Sequence, residues 1–206
     1  MVGTRRAEQA EASRAALVAA ARGCFAEHGY DATTVAEVLR RAGMARGALY
    51  HYFPGGKDEL FAVVYREVDD ELYRRVDALD TASPLSALRE SASVFFGLCT
   101  REEFARITVL EGPRVMAAGS PYGAVLGRSY ARMRDGVAAA IEAGELADLD
   151  VDILTTALYG AVRDLGARVA TAPSRQRRRA AAEALVVVDH LLDGIAAVGT
   201  PRQETA

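Results

Sequence analysis

Residues that would support metal or thiol chemistry are scarce in this sequence. Its two cysteines, Cys24 and Cys99, lie far apart and form no C-x-x-C pair, so neither a zinc site nor a disulfide framework is indicated. The three histidines, His28, His51 and His190, fall in separate segments and show no metal-ligand spacing. The sequence therefore predicts no metal ion and no cofactor.

The sequence also contains no motif typical of a phosphate-binding loop, a nucleophile elbow or a membrane span. The run Gly55-Gly56-Lys57 lacks the upstream glycine and the following serine or threonine of a P-loop. No stretch of about 18 apolar residues is present, and the first residues do not follow a signal-peptide pattern. We therefore expect a cytoplasmic protein that is not an enzyme.

What the sequence does contain is helical periodicity along most of its length. Half of the residues are hydrophobic, enough for a substantial core, and no alternating strand pattern or internal repeat is found. This predicts an all-α protein with a three-helix head, residues 1–57, a larger helical body, residues 58–198, and a disordered tail, residues 199–206. About nine helices are predicted, at residues 7–28, 34–42, 45–51, 58–79, 84–100, 102–116 with a bend at Gly112-Pro113, 122–143, 151–171 and 174–198.

The most specific stretch is TTVAEVLRRAGMARGALYHYFPGGK, at residues 33–57. Thr34 and Glu37 have the spacing of a capping box, which predicts the start of a short helix there. Gly43 then stands where a helix commonly ends in a left-handed residue. In the helix that follows, Leu49 and Phe53 are four apart and are expected to turn inward. A capped helix, a glycine turn and a second short helix are what a helix-turn-helix needs to place one helix in the major groove of DNA.

From about residue 14 to residue 61 the chain resembles the DNA-binding domain of the TetR/AcrR family of bacterial transcription regulators. The resemblance lies in the pattern GY-x-x-T-T-V…AG-x-x-x-G-x-LY-x-x-F…K. Ala45 departs from it by replacing a frequent serine or threonine, and Ala48 by replacing a frequent polar residue. The resemblance implies phosphate contacts for Thr34 and Lys57, base-edge contacts for Arg46, Gly47 and Ala48, and positions along the DNA backbone for Tyr50, His51 and Tyr52.

Charge is distributed unevenly between the two predicted parts. Residues 1–57 carry 8 basic and 5 acidic side chains, a net charge of +3, whereas residues 58–206 carry 17 and 23, a net charge of −6. Lys57 is the single lysine of the chain. A mildly basic head on an acidic body suits a protein that presents one end to double-stranded DNA.

The last two predicted helices carry a signal for oligomerisation. The final helix is apolar nearly all round, so one side is expected to face its own chain and the other a partner. Two such helices from each of two chains would form a four-helix interface, as the resemblance also implies. A helix that is fully buried inside a monomer remains the alternative. The interface residues predicted on these two helices are Leu154, Leu158, Gly160, Ala161, Leu185, Val188, Leu192 and Ile195.

The resemblance also implies a small-molecule pocket between the helices of the body. Such sites are mostly apolar with a few polar groups. The predicted lining residues are Phe95, Phe96, Phe104, Met116, Tyr122, Tyr130, Met133, Tyr159 and Arg163.

The leading interpretation is a homodimeric repressor that binds a palindromic operator and is released by a small-molecule effector. A DNA-binding dimer without an effector, and an all-helical enzyme or carrier, remain as alternatives. The dimer without an effector would have a filled body, and the enzyme or carrier would have a head without DNA affinity.

Overall fold

The structure, a computed structural model, describes residues 2–116 and 127–199. Every regular element within these ranges is helical, which confirms the all-α prediction. None of the helices that the ranges contain is long and apolar enough to cross a membrane. The helices are α1 (Val2–Ala32), α2 (Val35–Ala42), α3 (Ala48–Tyr52), α4 (Gly56–Asp77), α5 (Pro84–Cys99), α6 (Glu102–Phe104), a π-helical segment (Ala105–Glu111), α7 (Gly112–Val115), α8 (Gly127–Glu142), α9 (Val151–Thr171) and α10 (Arg177–Gly199).

Helix starts follow their local sequence signals closely. The Asp150 side chain accepts a hydrogen bond from the Ile153 backbone N–H at 2.9 Å and begins α9 at the predicted residue. At α5, Ser83 and Ser86 form a reciprocal capping box with Pro84 in the first turn. These side chains satisfy backbone N–H groups that have no partner inside the helix, so the start is decided locally.

Other boundaries differ from the sequence predictions. Helix α1 begins at Val2 and is broken at Gly29, whose φ of 77° few other residues would adopt. The capping box predicted before α2 is half formed. Thr34 accepts from the Glu37 N–H at 3.2 Å, but the Glu37 carboxylate instead lies 3.3 Å from the His28 ring. Helix α10 starts three residues later than predicted, at Arg177. The predicted start of α8 and most of the predicted tail lie outside the described residues.

The predicted bend near Gly112 and Pro113 is replaced by a different irregularity. Residues Ala105–Glu111 form a π-helix between α6 and α7, and the Gly112 N–H donates to the carbonyl five residues earlier, of Ile107. π-helical turns are rare and often occur at functional sites. Gly112 also lies against the Tyr65 ring of α4, so closely that a Cβ there would be 2.3 Å from a ring carbon.

Head and body share one apolar core. It runs without a break from Leu17 and Phe25 of α1, through Phe61 of α4, to Val188 of α10. Both cysteines are buried in it, and burial raises the pKa of Cys99 to about 12. Because α4 starts at Gly56, the predicted boundary at residues 57–58 falls inside its first turn, and the division into domains stays a prediction.

Polar contacts add to the connection between α1 and the segment from α6 to α7. Arg22 of α1 pairs with both carboxylate oxygens of Glu103, at 2.7 and 2.8 Å. Arg114 lies 2.9 Å from Asp31. Paired guanidinium and carboxylate groups of this kind fix orientation as well as adding energy.

Candidate nucleic-acid interface and body cavity

Helix α3 is held in place from its inner side. Leu49 and Phe53 are fully buried, as the sequence predicts. Gly43 ends α2 with a φ of 67°, and its N–H bonds back to carbonyls of the last turn. The chain then passes through a turn in which the Ala48 N–H donates to the Ala45 carbonyl at 3.0 Å. As a result α3 begins three residues later than predicted, and Arg46 and Gly47 belong to the turn before it.

The outer side of this turn and helix is exposed. Arg46, Gly47, Tyr50 and His51 all face solvent, and Tyr50 is 59% exposed despite its aromatic ring. Within the described residues the Arg46 guanidinium makes no ion pair and no hydrogen bond. A free guanidinium and a phenol on one exposed face can both donate to phosphate oxygens, and arginine can also read guanine.

Of three further residues to which the resemblance gives a DNA contact, one is exposed and two are half-buried. Thr34 is exposed at the start of α2, where its hydroxyl oxygen caps the helix. Ala48 and Tyr52 are half-buried and pack against the core, because they share the inner side of α3 with Leu49. Tyr52 also meets the His51 ring edge-on at 4.8 Å.

The structure gives Lys57 a role inside the head. Its Nζ donates to the backbone carbonyls of Tyr30 and Thr33 at 3.0 and 3.1 Å and lies 4.1 Å from the centre of the Tyr30 ring. Two of the three N–H donors of the ammonium group are therefore already used inside the head, which argues against the phosphate contact that the resemblance implies. The lysine instead ties the end of α1 to the start of α4.

The body contains a cavity of ≈ 670 Å³, walled by α4, α5, the π-helical segment, α8, α9 and α10. This volume falls in the range usual for small-molecule sites. Of the predicted lining residues, Phe95, Met133, Tyr159 and Arg163 do line it.

The other predicted lining residues lie elsewhere. Phe96, Phe104 and Met116 are about 1% exposed and fill the closed core instead, which corrects their assignment. Tyr130 does not line the cavity. Its hydroxyl reaches Thr156 at 3.1 Å, and its ring packs on Tyr159 from outside. Tyr122 lies outside the described residues. Apolar type and helical spacing cannot separate a cavity wall from a packed core, because both need the same side chains.

Two buried polar groups of the cavity, in contrast to Arg163, were missed by sequence reasoning. Asp69 of α4 is 1% exposed and lines the cavity, as does Thr108 of the π-helical segment at 7%. Among the described residues, neither Asp69 Oδ2 nor Thr108 Oγ1 has a hydrogen-bond partner. The signal for Asp69 was its spacing, since Tyr65 and Tyr73 stand one helical turn to either side, on the buried face of α4.

Burial raises the pKa of Asp69 to about 6, and the neighbouring Asp70 carboxylate acts in the same direction. Tyr73 and the Arg128 guanidinium act against this shift. A carboxylate without full pairing in such surroundings loses its hydration and regains little of it from the protein.

The residues exposed on α9 and α10 are not the ones that the sequence predicts for the dimer interface. Leu154, Leu158, Val188 and Leu192 are at most 6% exposed in the single chain, so they belong to the core and in part to the cavity wall. Gly160, Ala161, Leu185 and Ile195 are half-buried. The large apolar side chains that do face outwards on these helices are Ile153 at 73%, Val186 at 53%, Val187 at 46% and Leu191 at 42% exposed.

A helix-turn-helix head on a helical body with a cavity is the architecture of a DNA-binding regulator that responds to a ligand. Comparison with known protein families supports this class. The family described as bacterial regulatory proteins, tetR family, matches residues 17–64. The family described as tetracyclin repressor-like, C-terminal domain, matches residues 85–195, more than half of the chain. The chain belongs to the TetR family.

Individual relatives agree with this assignment. The HTH-type transcriptional repressor AcnR of Corynebacterium efficiens is 46% identical over 55 residues, 27% of this chain and 29% of that protein. An HTH-type transcriptional repressor of Mycobacterium tuberculosis is 35% identical over 95 residues, 46% of this chain and 50% of its own length. The chain thus matches half or less of the length of these curated relatives.

Similarity to solved structures extends over nearly the whole chain. A TetR-family transcriptional regulator of Pectobacterium atrosepticum has 25% identity and a TM-score of 0.74, covering 92% of this chain and 96% of that one. The regulator FadR of Bacillus subtilis, in complex with stearoyl-CoA, has 22% identity and a TM-score of 0.71 over 87% and 98%. The second similarity is evidence for the fold alone.

Proposed function

We propose that this protein is a transcriptional repressor that binds a palindromic operator as a homodimer and is released by a small molecule bound in the body cavity. Repression is the activity named for the relatives of Corynebacterium efficiens and Mycobacterium tuberculosis. The site of action would be the cytoplasm, where the operator DNA is.

The observation that carries the proposal is the exposed face formed by Arg46, Gly47, Tyr50 and His51. Leu49 and Phe53 hold it from behind with no exposed surface of their own. A rigidly supported, solvent-facing turn and helix, with an arginine that is unpaired within the described residues, is suited to docking in the major groove. The small size of Gly47 lets the turn approach DNA closely.

Dimerisation would use the outer face of α9 and α10. Four of the seven large apolar side chains that are exposed in the described residues lie on these two helices. Apolar surface of this kind marks interaction sites. Gly160 and Gly194 have open space where a Cβ would be, so a partner helix could approach closely there. A two-fold axis at this face would give the dimer two recognition helices and match it to a palindrome.

Effector control would pass through the helices that the cavity and the head share. Helix α4 contributes Asp69 and Tyr73 to the cavity. It begins at Gly56, shortly after α3, the proposed recognition helix. The π-helical segment contributes Thr108 to the cavity, while its Arg106 donates to the Glu27 carbonyl of α1 at 3.2 Å. Coupling of this kind is reciprocal, so the effector and the operator should weaken each other's binding by the same factor.

The cavity favours this interpretation over a DNA-binding dimer without an effector, since such a protein would need no space of ≈ 670 Å³ in its body. The test that separates the alternatives is the selection of bound sequences from a random DNA pool, using the purified protein at moderate salt. Recovery of a palindrome is the expected result. If a folded, dimeric protein enriches no sequence, the proposed function is wrong and a ligand carrier or enzyme becomes the better interpretation.

A further inference from the structure

The wall of the cavity includes a buried carboxylate that the packing of the fold does not explain. Asp69 is 1% exposed, and its Oδ2 atom has no hydrogen-bond partner among the described residues. Buried polar side chains are nearly always paired, so an oxygen without a protein partner at a cavity wall is available to a polar or charged group of a ligand.

Aromatic rings surround this carboxylate. Tyr65, Tyr73, Phe95 and Tyr159 line the same cavity as Asp69. Burial raises the pKa of all three tyrosines, and the Asp69 charge acts in the same direction on each of them. Rings present a negative face, so rings and carboxylate together favour a positive group between them.

The arginines around the cavity are already paired with other acids. Arg132 pairs with Asp77, and Arg163 lies 3.0 Å from Asp164 at the surface. Arg128, which acts on Asp69 from α8, lies 3.0 Å from Asp70. Among the described residues that line the cavity, Asp69 is therefore a buried acid without an ion-pair partner, whereas Arg132 and Arg163 are each paired with another acid.

We propose that the cavity binds a lipophilic organic cation, a protonated amine or a quaternary ammonium on an apolar body, with its charged nitrogen at Asp69. This inference rests on the proposed function in taking the cavity as the effector site. The nitrogen would contact the carboxylate and the rings of Tyr65 and Tyr159, since the Arg128 and Arg132 guanidinium groups already lie 4.5 and 5.0 Å from the centre of the Tyr73 ring. The apolar body would lie against Leu72, Leu88 and Met133, which line the same cavity.

The position of Asp69 gives such a ligand a route to the head. Asp69 lies 13 residues after Gly56, the first residue of α4, so about 20 Å of continuous helix separates the ligand from the recognition element. A cation drawn to Asp69 would act on the helix that carries the head, rather than on the outer helices α9 and α10.

The test compares three probes with the same ten-carbon chain and different charge: decyltrimethylammonium, decanol and decanoate, all below micelle-forming concentrations. Calorimetric titration of the wild-type protein should show the cation binding about tenfold or more tightly than decanol, and decanoate binding most weakly. Asp69→Asn should remove the preference for the cation and leave the affinity for decanol unchanged, which also shows that the cavity is intact. Asp80→Asn, the same charge change at an exposed position, should behave as wild type.

Equal binding of cation and alcohol, tighter binding of decanoate, absence of cation binding, or a cation preference that survives in Asp69→Asn would each overturn the inference. The proposed function has a separate readout. If decyltrimethylammonium binds through Asp69 but leaves the affinity for the selected operator unchanged, the ligand class stands and the effector role fails.

Discussion

At the scale of single residues, Lys57 shows how a residue can match a family pattern and still serve the fold. Its ammonium group lies on the carbonyls of Tyr30 and Thr33 and over the Tyr30 ring. We predict that Lys57→Ala lowers the thermal stability of the protein and weakens DNA binding, but leaves the slope of log affinity against log salt unchanged. A phosphate contact would instead reduce that slope by about one.

Arg46 is the side chain most directly available for reading a base. Arg46→Ala should cost about 1–3 kcal/mol of binding free energy on the selected operator and relax the preference at one base position. Arg40, also an exposed arginine, lies in the last turn of α2 and provides the matched control, and its alanine variant should keep the preference at every position. Equal loss on specific and random DNA for Arg46→Ala would show that it contacts phosphate alone.

The raised pKa of Asp69 leads us to predict that the free energy of unfolding depends on pH. Its pKa is about 6 in the folded protein, raised by burial, against an ordinary value of 3.8. Folding therefore favours the protonated form, so the contribution of Asp69 is most favourable at low pH and is lost as the pH rises from about 4 to about 6. Arg128 and Asp70 face it with opposite effects, and Tyr65, Tyr73 and Tyr159 stay protonated throughout.

Asp69→Asn should accordingly stabilise the protein at neutral pH, by an amount on the order of 3 kcal/mol at most. The measurement is chemical denaturation of both proteins across this pH range, since the difference between them cancels the other titrating groups. A difference in the free energy of unfolding that does not grow with pH would contradict the assignment of a raised pKa to Asp69.

At the scale of elements, the join between the π-helical segment and α4 depends on close packing at Gly112. Gly112→Ala would place a Cβ 2.3 Å from the buried Tyr65 ring and should destabilise the protein by about 1–3 kcal/mol. Because Tyr65 lines the cavity, the same change should also alter ligand affinity. Thermal denaturation and probe titration would measure the two effects.

Gly97→Ala is the matched control for this substitution. Gly97 is exposed within α5 and has nothing within 4 Å of a Cβ, so alanine there should stabilise the helix by up to about 1 kcal/mol. If both alanine variants had the same stability, the close contact between Gly112 and Tyr65 would not limit the packing of these helices.

At the scale of the whole molecule, the outer face of α9 and α10 decides whether two heads act together. Val187 is 46% exposed, whereas its neighbour Val188 is 2% exposed and lines the cavity. We predict that Val187→Asp gives a folded monomer that no longer binds a palindrome, because a charge cannot be buried in an apolar interface without a partner. Sedimentation analysis and circular dichroism would separate loss of the dimer from loss of the fold.

Ser93→Asp, which adds the same charge at an exposed position of α5, should remain dimeric. A Val187→Asp protein that is still a dimer would place the interface on another surface. The four-helix arrangement would then need a different pair of helices.

Much of this architecture could be predicted from local signals in the sequence. Asp150 begins α9, Ser83 and Pro84 begin α5, and Gly43 ends α2, because capping and left-handed residues act on groups one or two turns away. The buried positions of Leu49 and Phe53 follow from helical spacing in the same way. The exposed face of Arg46, Tyr50 and His51 could therefore be named before its geometry was known.

Tertiary structure decided which of several suitable side chains has which role. Val188 and Val187 are adjacent and chemically identical, yet one lines the cavity and the other faces outwards. Phe95 and Phe96 divide in the same way between cavity and core. By itself the sequence determined the helices, the helix-turn-helix and the family, because these depend on contacts between residues close in the chain. The cavity, the burial of Asp69 in its wall and the outward face of α10 depend on how distant helices pack, and spacing within one helix does not determine that.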